Sequence, residues 1–459
     1  MQNSNCDFKL LIPATRESSN PLFNMPTIEQ GASTVSSSIS LVKTIIGAGL
    51  LSMPLAFSTD GIIFGIFIIV IAALTSGYGL FLQAYVSKYV APGHATFFSI
   101  CSITYPALSV VFDVAIAVQC FGCALSYLVL IGDIMPTIIT ALPYVDPEHH
   151  RNFWILASTF ICVPLSFLKN LDSLKYTSIL GLVAILYMAL LVIGHFLVGN
   201  VPADEKGELT LFPPNVSGVF STFAIIVFAF TGHQNMFSIV NEAKDKSLTS
   251  LTRLVNSAVG LAASFFIVVG LAGYLTFGDA VTGNVIMLYP NVWSTTIGRA
   301  SIVFMVIFSF PLMMHPARIS VNNIYFWCKI NLGNQDVPEL TPLLSNQESL
   351  QSIHSHKHNF VVPFPHKTFL IITSGLLISA YFLAITIKSF ALVLAIVGAT
   401  GSTAISFILP GLFGYKLIGS ELDDVSVLET ILKNLALALT IWGFIVMVAC
   451  LYTSLFLRV

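Results

Sequence analysis

The stretch LVKTIIGAGLLSMPLAF, residues 41–57, is apolar and carries one formal charge, on Lys43. Such a run suits a helix that crosses a membrane. Gly47 and Gly49 nevertheless lie at its centre, where glycine weakens a helix most. Unwound backbone inside a membrane is tolerated only where it is buried in protein or lines a cavity. The stretch therefore predicts a broken membrane helix, although close helix packing through small residues would use the same glycines.

The composition is that of an integral membrane protein. Of 459 residues, 56% are hydrophobic and 9% are charged, against about 25% charged residues in soluble domains. The mean hydropathy is +0.87. We expect an all-α polytopic protein with eleven transmembrane helices within residues 36–457. The predicted spans lie near 36–58, 62–86, 108–140, 153–168, 174–199, 215–240, 252–277, 295–321, 368–387, 389–415 and 434–457.

Two polar segments lie outside the helical bundle. Residues 1–35 predict a disordered tail without a signal peptide, and residues 328–366 predict a loop between helices 8 and 9. Each carries an acidic dileucine pattern, DFKLLI at 7–12 and ELTPLL at 339–344, of the kind that sorting adaptors bind. The run HSHKH at 354–358 is better explained as solvated than as metal-loaded, so no metal site is predicted.

The basic residues indicate the orientation in the membrane. With eleven spans and a cytosolic N-terminus, most of the 20 lysines and arginines fall on the cytosolic side. This asymmetry predicts a cytosolic N-terminus and a lumenal C-terminus. The glycosylation sequon at Asn215 then lies on the far side, close to the membrane.

A second irregular span lies at residues 228–242, with the sequence FAFTGHQNMFSIVNE. The polar run from Thr231 to Asn235 is costly in hydrocarbon unless it faces a polar cavity. This span lies five helices after the first broken one. Because five is odd, a second copy of a five-helix unit enters the membrane upside down. The two spans therefore predict a 5+5 inverted repeat with interrupted helices 1 and 6, plus an eleventh helix.

The break in helix 1 suits an anionic group. A half-helix that begins near Gly49 would direct free amides and its positive dipole end at an anion such as an amino acid carboxylate. Carbonyls freed at the breaks can accept hydrogen bonds from an ammonium. We therefore expect an amino acid site between the two breaks.

Four stretches resemble the amino acid/auxin permease family of the APC superfamily. They are SLVKTIIGAGLLSMPLAFSTDG (40–61), SYLVLIGDIMP (126–136), the helix 6 stretch and SFPLMMHPARISVNN (309–323). The likeness runs from about residue 33 to the end and is greatest to fungal vacuolar amino acid transporters. Proton-coupled and sodium-coupled neutral amino acid transporters belong to the same family. The resemblance implies a LeuT-like fold and amino acid transport, with no enzyme activity and no cofactor.

The resemblance also implies which residues form the sites. The implied substrate-binding residues are Thr44, Gly47, Ala48, Gly49, Phe230, Thr231, Gly232 and His233. In sodium-coupled relatives, an asparagine of helix 1 and a hydroxyl residue of helix 8 contribute to the ion site. Ser309 keeps the hydroxyl, whereas Lys43 stands in place of the asparagine. Its ammonium could occupy the space of the sodium ion and exchange a proton; the alternative is that Lys43 snorkels to the cytosolic surface.

Three further residues are candidates for proton transfer or gating. His233, with an ordinary pKa of about 6.5, suits an acidic lumen, although it could instead hydrogen-bond freed helix carbonyls. Asp133 in helix 3 predicts a gate or relay, or else a water-facing acid. Glu242 predicts an inner gate paired with Lys244, Lys246 or a basic residue from another helix, or else a solvated charge.

The chain has no GxxxxGK[ST] phosphate loop, which leaves secondary active transport as the predicted function. We expect proton-coupled amino acid transport by alternating access in a vacuolar or lysosome-like membrane. The alternatives are an amino acid receptor with the same site, and a sodium-coupled or uncoupled permease. The expected partners are the amino acid, the lipid bilayer and sorting adaptors, without nucleic acid.

Overall fold

The computed structural model describes residues 31–140, 142–143, 145–168, 175–199, 206–332, 364–421 and 426–456. These residues are helical, with one isolated bridge between Ala32 and Ala243 and no named strand. Residues 1–30 of the predicted tail, both dileucine patterns and the HSHKH run lie outside the described residues.

The α-helices of the described residues are α1 (Thr34–Ile45), α2 (Met53–Asp60), α3 (Ile62–Val86), α4 (Phe97–Thr104), α5 (Ser109–Ile138), α6 (His150–Ala157), α7 (Thr159–Ser166), α8 (Lys175–Val198), α9 (Val216–Ala229), α10 (His233–Glu242), α11 (Leu248–Phe277), α12 (Trp293–Leu332), α13 (His366–Thr386), α14 (Phe390–Val397), α15 (Leu409–Leu417) and α16 (Val427–Phe456).

Nine helical segments of the described chain are long and apolar enough to cross a membrane. A tenth is added when Thr34–Ile45 and Ala48–Asp60, which are bent by 48°, count as one span. The protein is therefore an all-α, multi-pass membrane protein, and its described residues contain nine or ten such spans where eleven were predicted.

The difference lies in the predicted fourth span, 153–168. It is divided at Ser158 into α6 and α7, each of 8 residues, which are too short to qualify. The Ser158 hydroxyl donates to the carbonyl of Ile155 at 2.6 Å, and Pro164 has no amide to donate inside α7. The interruption therefore coincides with a hydroxyl that bonds a carbonyl of the preceding turn, which hydropathy does not report.

Helix 1 is interrupted between α1 and α2. Ile46 is extended (φ −80°, ψ 90°), Gly47 follows with φ −124° and ψ −149°, and a 3-10 turn covers Ala48–Ser52. Pro54 then lies in the first turn of α2, where its missing N–H costs nothing. The α-helical hydrogen bonding thus stops where the glycines stand.

Helix 6 is interrupted between α9 and α10, and the two breaks lie against each other. A Cβ atom on Gly49 would be 2.7 Å from the Ala229 Cβ, at the end of α9. A Cβ atom on Gly232 would be 2.9 Å from Cγ1 of Ile45. Glycine at these two positions therefore permits the approach of the broken helices.

Other helices of the bundle pack around the two breaks. Helix α5 packs against α6, α12, α13 and α14, and π-helical turns at Gly398–Ser402 and Ala404–Ile408 join α14 to α15. In both the Ser217–Glu242 and Phe390–Leu417 spans, 83% of the most apolar stretch is buried. The broken helix 6 is thus central in the bundle, so its polar groups are kept from lipid.

Candidate functional site

A cavity of about 340 Å³ lies between the two breaks. Its volume falls in the range of roughly 300–1,000 Å³ that is usual for small-molecule sites. The cavity is bounded by α1, the helix 1 break, α5, α8, the end of α9, α10 and α12. Seven of the sequence-predicted residues line it: Lys43, Thr44, Gly47, Ala48, Gly49, Thr231 and Ser309.

The helix 1 side of the cavity presents bare backbone. A Cβ atom on Gly47 would meet nothing within 4 Å, so this residue borders open space. Across the described residues, no acceptor is recorded for the amides of Gly47, Ala48 and Gly49, whereas the Leu50 amide donates to the Gly47 carbonyl at 3.1 Å. Amides at the start of a helix have no intrahelical acceptor. They are available to an anionic group.

The helix 6 side of the cavity presents carbonyls and polar side chains. The Thr231 hydroxyl donates to the Val227 carbonyl at 2.7 Å. No hydrogen bond to the carbonyls of Ala229 and Thr231 is recorded within the described part of the chain. Asn235 Nδ2 donates to the Thr44 hydroxyl oxygen at 3.3 Å, which joins α10 to α1 beside the cavity.

Two predicted substrate residues of helix 6, Phe230 and Gly232, are turned away from the cavity. Phe230 is fully buried and packs edge to face on Phe266, with ring centroids 5.0 Å apart. Gly232 packs on Leu41 and Ile45 of α1. Only Thr231, between them, borders the cavity. Because the backbone turns at this break, consecutive residues point in different directions.

His233 is also absent from the cavity wall, and its imidazole is fully buried. Nε2 lies 3.1 Å from the carbonyl of Ser76, and Nδ1 lies 3.0 Å from the Ser406 hydroxyl. Since a carbonyl only accepts, Nε2 carries the proton and Nδ1 accepts from Ser406. The ring therefore joins α10 to α3 and to the π-helical turn, and both nitrogens are engaged.

Lys43 of α1 and Ser309 of α12 line the same cavity. The Lys43 side chain is half-buried, and its ammonium forms no ion pair with any described residue. The cavity thus contains a positive charge that the described protein does not neutralise. Such a charge complements an anionic ligand.

Asp133 lies outside the cavity and forms an ion pair. Arg151 Nε donates to its Oδ1 at 2.9 Å, while the guanidinium also donates to the carbonyls of Ala384 at 3.1 Å and Ile387 at 2.9 Å. Asp133 is therefore paired with Arg151 in this structure. The ion pair and the two hydrogen bonds of Arg151 link α5, α6 and the end of α13.

Glu242 is exposed at the end of α10. Its carboxylate forms no ion pair with the residues that the structure describes, so the pairing with Lys244 or Lys246 is absent from this conformation. Its backbone carbonyl instead accepts from the Ala32 amide at 2.9 Å, and the Lys244 amide donates to the Ala32 carbonyl at 2.9 Å. These contacts dock the start of the described chain on the end of helix 6.

Several cavity residues were not among the predicted site residues, including Gln119 and Tyr127 of α5 and Asn235. Gln119 Oε1 accepts from Ser402 at 2.7 Å, so a π-helical turn orients its amide. A lone glutamine inside an apolar span was an available signal. Whether this glutamine faces the cavity depends on how α5 packs, and a single sequence does not determine that packing.

Comparison with known proteins agrees with this geometry. Residues 30–456 match the family described as transmembrane amino acid transporter protein. The chain is 40% identical to vacuolar amino acid transporter 7 of Saccharomyces cerevisiae, over 94% of this chain and 99% of that protein. It is 42% identical to vacuolar amino acid transporter 6 of the same yeast, over 92% and 99% of the two chains.

A more distant relative is sodium-coupled neutral amino acid transporter 7 of Homo sapiens. That similarity is 28% identity over 64% of this chain and 65% of the relative. These proteins are all transporters. The chain belongs to the transmembrane amino acid transporter family, the amino acid/auxin permeases, and is a transporter rather than an enzyme.

Proposed function

We propose that this protein carries amino acids across a vacuolar or lysosome-like membrane as a proton-coupled secondary active transporter. The observation that carries the proposal is the cavity between the two helix breaks, with unbonded amides on one side and unbonded carbonyls on the other. The relatives named vacuolar amino acid transporters support the substrate class and the membrane.

The substrate carboxylate binds at the helix 1 break. The amides of Gly47, Ala48 and Gly49 have no recorded acceptor in the described residues, and the partial positive charge of a helix start favours an anion. The Lys43 ammonium on the same wall adds a full positive charge. Hydrogen bonds to a charged group are about twice as strong as neutral ones.

The substrate ammonium binds at the helix 6 break. Ala229 and Thr231 line the cavity, and their carbonyls accept no recorded bond in the described part of the chain. Because the Thr231 hydroxyl donates to Val227, its oxygen also remains able to accept. The two ends of a zwitterionic amino acid are thus matched by opposite polar groups on the two breaks. Thr44, bonded to Asn235, fixes the distance between these walls.

Transport proceeds by alternating access in an eleven-helix, LeuT-like bundle. The contact of the two breaks through Gly49 and Ala229 supports this arrangement, because interrupted helices meet at the substrate site in inverted-repeat transporters. The N-terminus is cytosolic and the C-terminus lumenal, as the basic residues indicate. Adaptors that bind the dileucine patterns deliver the protein to its organelle.

The coupling ion is the proton. Lys43 stands on the cavity wall with Ser309, where its ammonium takes the place of a sodium ion. A compact, fixed positive charge beside the site removes the need for a bound metal cation and disfavours its entry. His233 is less suited to this role than its sequence position indicated, because Ser76 and Ser406 engage both ring nitrogens.

Uptake of a radiolabelled amino acid mixture into proteoliposomes of the purified chain tests the function. Proton and sodium gradients are imposed in separate experiments, and empty liposomes provide the background. We expect accumulation that follows the sign of the proton gradient and ignores sodium. Specific binding without uptake under either gradient would contradict transport and identify an amino acid receptor. Uptake driven by sodium alone would contradict proton coupling.

A further inference from the structure

A buried carboxyl group lies outside the cavity, at the end of α2. Asp60 has an exposed fraction of 0%. Thr222 of α9 donates a hydrogen bond to its Oδ1 at 2.8 Å. The other carboxyl oxygen, Oδ2, is buried and has no hydrogen-bond partner among the described residues. The carboxyl group thus sits at the contact of half of helix 1 with half of helix 6.

The elements packed on α2 provide no cation for this carboxyl group. Helix α9 carries no titratable side chain, nor does the 3-10 turn that precedes α2. On α3, the first titratable residue is Tyr78, about 24 Å from the helix start at about 1.5 Å per residue. On α11, Arg253 is about 25 Å from Gly270, which contacts Phe57 of α2.

Four titratable residues lie near this end of α2, on the elements packed against it and on the segment 206–212 that contacts Gly61, and each is engaged or exposed. The Tyr274 hydroxyl of α11 accepts from the Thr210 amide at 2.8 Å. Exposed Asp279, on the 3-10 turn Gly278–Ala280 beside α2, accepts from the Glu208 amide at 2.9 Å. Lys206 and Glu208 are exposed, and neither pairs with Asp60 within the described chain.

The hydrogen bonds at this position suit a neutral acid better than a carboxylate. An ionised Asp60 would have one hydrogen bond and no counter-charge, which is costly in a buried setting. A protonated Asp60 can donate its O–H to Thr222. The Thr222 hydroxyl can then donate to the carbonyl of Val219 at 3.1 Å or Gly218 at 3.2 Å. Thr222 can therefore accept the hydrogen bond of the neutral acid, which leaves an uncharged carbonyl oxygen, Oδ2, as the only group of Asp60 without a partner among the described residues.

The helix that carries Asp60 is jointed at both ends. The break at Gly47 precedes α2, and Gly61, with φ +75°, separates α2 from α3. These two joints are the points about which this helix of 8 residues would turn away from α9. By the proposed orientation, the Asp60 end faces the lumen. Separation of α2 from α9 would expose the carboxyl group to lumenal water.

We propose that Asp60 is the proton-binding residue of the transport cycle. This inference rests on the proposed function as a proton-coupled transporter. While α2 and α9 are apart, a lumenal hydronium ion gives its proton to a carboxylate oxygen of Asp60 and leaves as water. Closure then buries the neutral acid against Thr222, and opening of the protein to the cytosol returns the proton to cytosolic water. Because the proton binds the closed arrangement better, it shifts the equilibrium between the two access states.

Asp60→Asn tests the inference in proteoliposomes of the full chain, with the labelled amino acid mixture. Two quantities are measured: accumulation driven by a pH gradient, and exchange of internal for external substrate at equal pH on both sides, from pH 5 to pH 8. If one proton crosses per substrate, wild type accumulates substrate at most about tenfold for each pH unit of the gradient. The reason is that a tenfold difference in proton activity can sustain at most a tenfold difference in substrate concentration. The variant is expected to exchange at a rate independent of pH and to accumulate nothing.

The matched control is Asp113→Asn on α5. Asp113 is a partly buried carboxylate that accepts from Asn323 Nδ2 at 3.1 Å, away from α2. The control makes the same chemical change and should keep both accumulation and the pH profile. Full proton-driven accumulation by Asp60→Asn would overturn the inference but leave the proposed function standing. Absence of uptake by wild type would refute the proposed function itself.

Asp60→Glu provides a second test if the asparagine variant loses exchange as well. The glutamate keeps a titratable group but shifts it by one methylene relative to Thr222. The inference expects continued accumulation, with the midpoint of the exchange profile moved along the pH axis. A midpoint identical to that of wild type would overturn it. Loss of all transport in both variants would give Asp60 a structural role and also overturn it.

Discussion

Both helix breaks contain glycine, but their surroundings differ. The break in helix 1 opens on the cavity, where Gly47 has no atom within 4 Å of the Cβ position. The break in helix 6 is more enclosed, since Phe230 and His233 are fully buried and, among residues 230–233, Thr231 alone lines the cavity. The helix 1 break presents bare backbone to the cavity, whereas the buried side chains of the helix 6 break hold the bundle together.

The comparison shows that polarity at a break has two distinct causes. In helix 1 the amides lack protein acceptors in the described chain, which leaves them for an external anion. In helix 6 the imidazole of His233 forms hydrogen bonds with Ser76 and Ser406, so both of its ring nitrogens have partners within the protein. An unmet polar group indicates a ligand, whereas a polar residue alone indicates only that some partner is needed.

The largest expected effect is that of Gly47→Ala. The added methyl group enters the cavity without touching the protein, so the fold should be unchanged. If it displaces a carboxylate from two amide hydrogen bonds of about 1.5 kcal/mol each, uptake at low substrate concentration falls about 100-fold. Initial uptake rates and the thermal unfolding midpoint provide the measurements.

Gly260→Ala on α11 is the control for Gly47→Ala. Its Cβ position is equally free of neighbours, but Gly260 does not line the cavity. It should keep wild-type uptake. Equal uptake by the two variants would place the substrate away from the helix 1 break and remove the functional contrast between the breaks.

A smaller effect, on stability, is expected for His233→Ala. The substitution leaves the Ser76 carbonyl and the Ser406 hydroxyl without their partner in the core, at a cost of about 2–3 kcal/mol in the free energy of unfolding. The thermal unfolding midpoint should fall, while the folded fraction transports with an unchanged pH profile. Exposed His94→Ala should leave the midpoint unchanged. A flattened pH profile at normal stability would instead return His233 to the proton pathway.

The smallest expected effect is a change of ion preference in Lys43→Asn. The amide oxygen, with Ser309 on the same cavity wall, restores two oxygen ligands for sodium. A sodium gradient should then stimulate uptake about fivefold, which corresponds to a coupling free energy of about 1 kcal/mol. Lys43→Met removes the ammonium but adds no oxygen, and should show no such stimulation. Identical responses to sodium in the two variants would contradict the replacement of sodium by Lys43.

Sequence reasoning located both helix breaks because glycine and clustered polar residues act locally on backbone hydrogen bonding. It also located most of the cavity wall of helix 1, where the ligand-facing groups are backbone atoms at Gly47 and Gly49. Side-chain positions were harder to predict. Phe230 and His233 were expected at the substrate site, but the structure places them outside the cavity wall, and the cavity residue Gln119 was not among the predicted residues.

The sequence by itself determined that this is an all-helical membrane protein with interrupted helices 1 and 6, since hydropathy and helix propensity are properties of short segments. Only the tertiary structure decided which face each helix turns to the cavity. It also placed Asp60 against Thr222, residues far apart in the chain. The physical reason is that the surroundings of a side chain are set by helices distant in sequence, and burial, counter-charge and hydrogen-bond partners all depend on those neighbours.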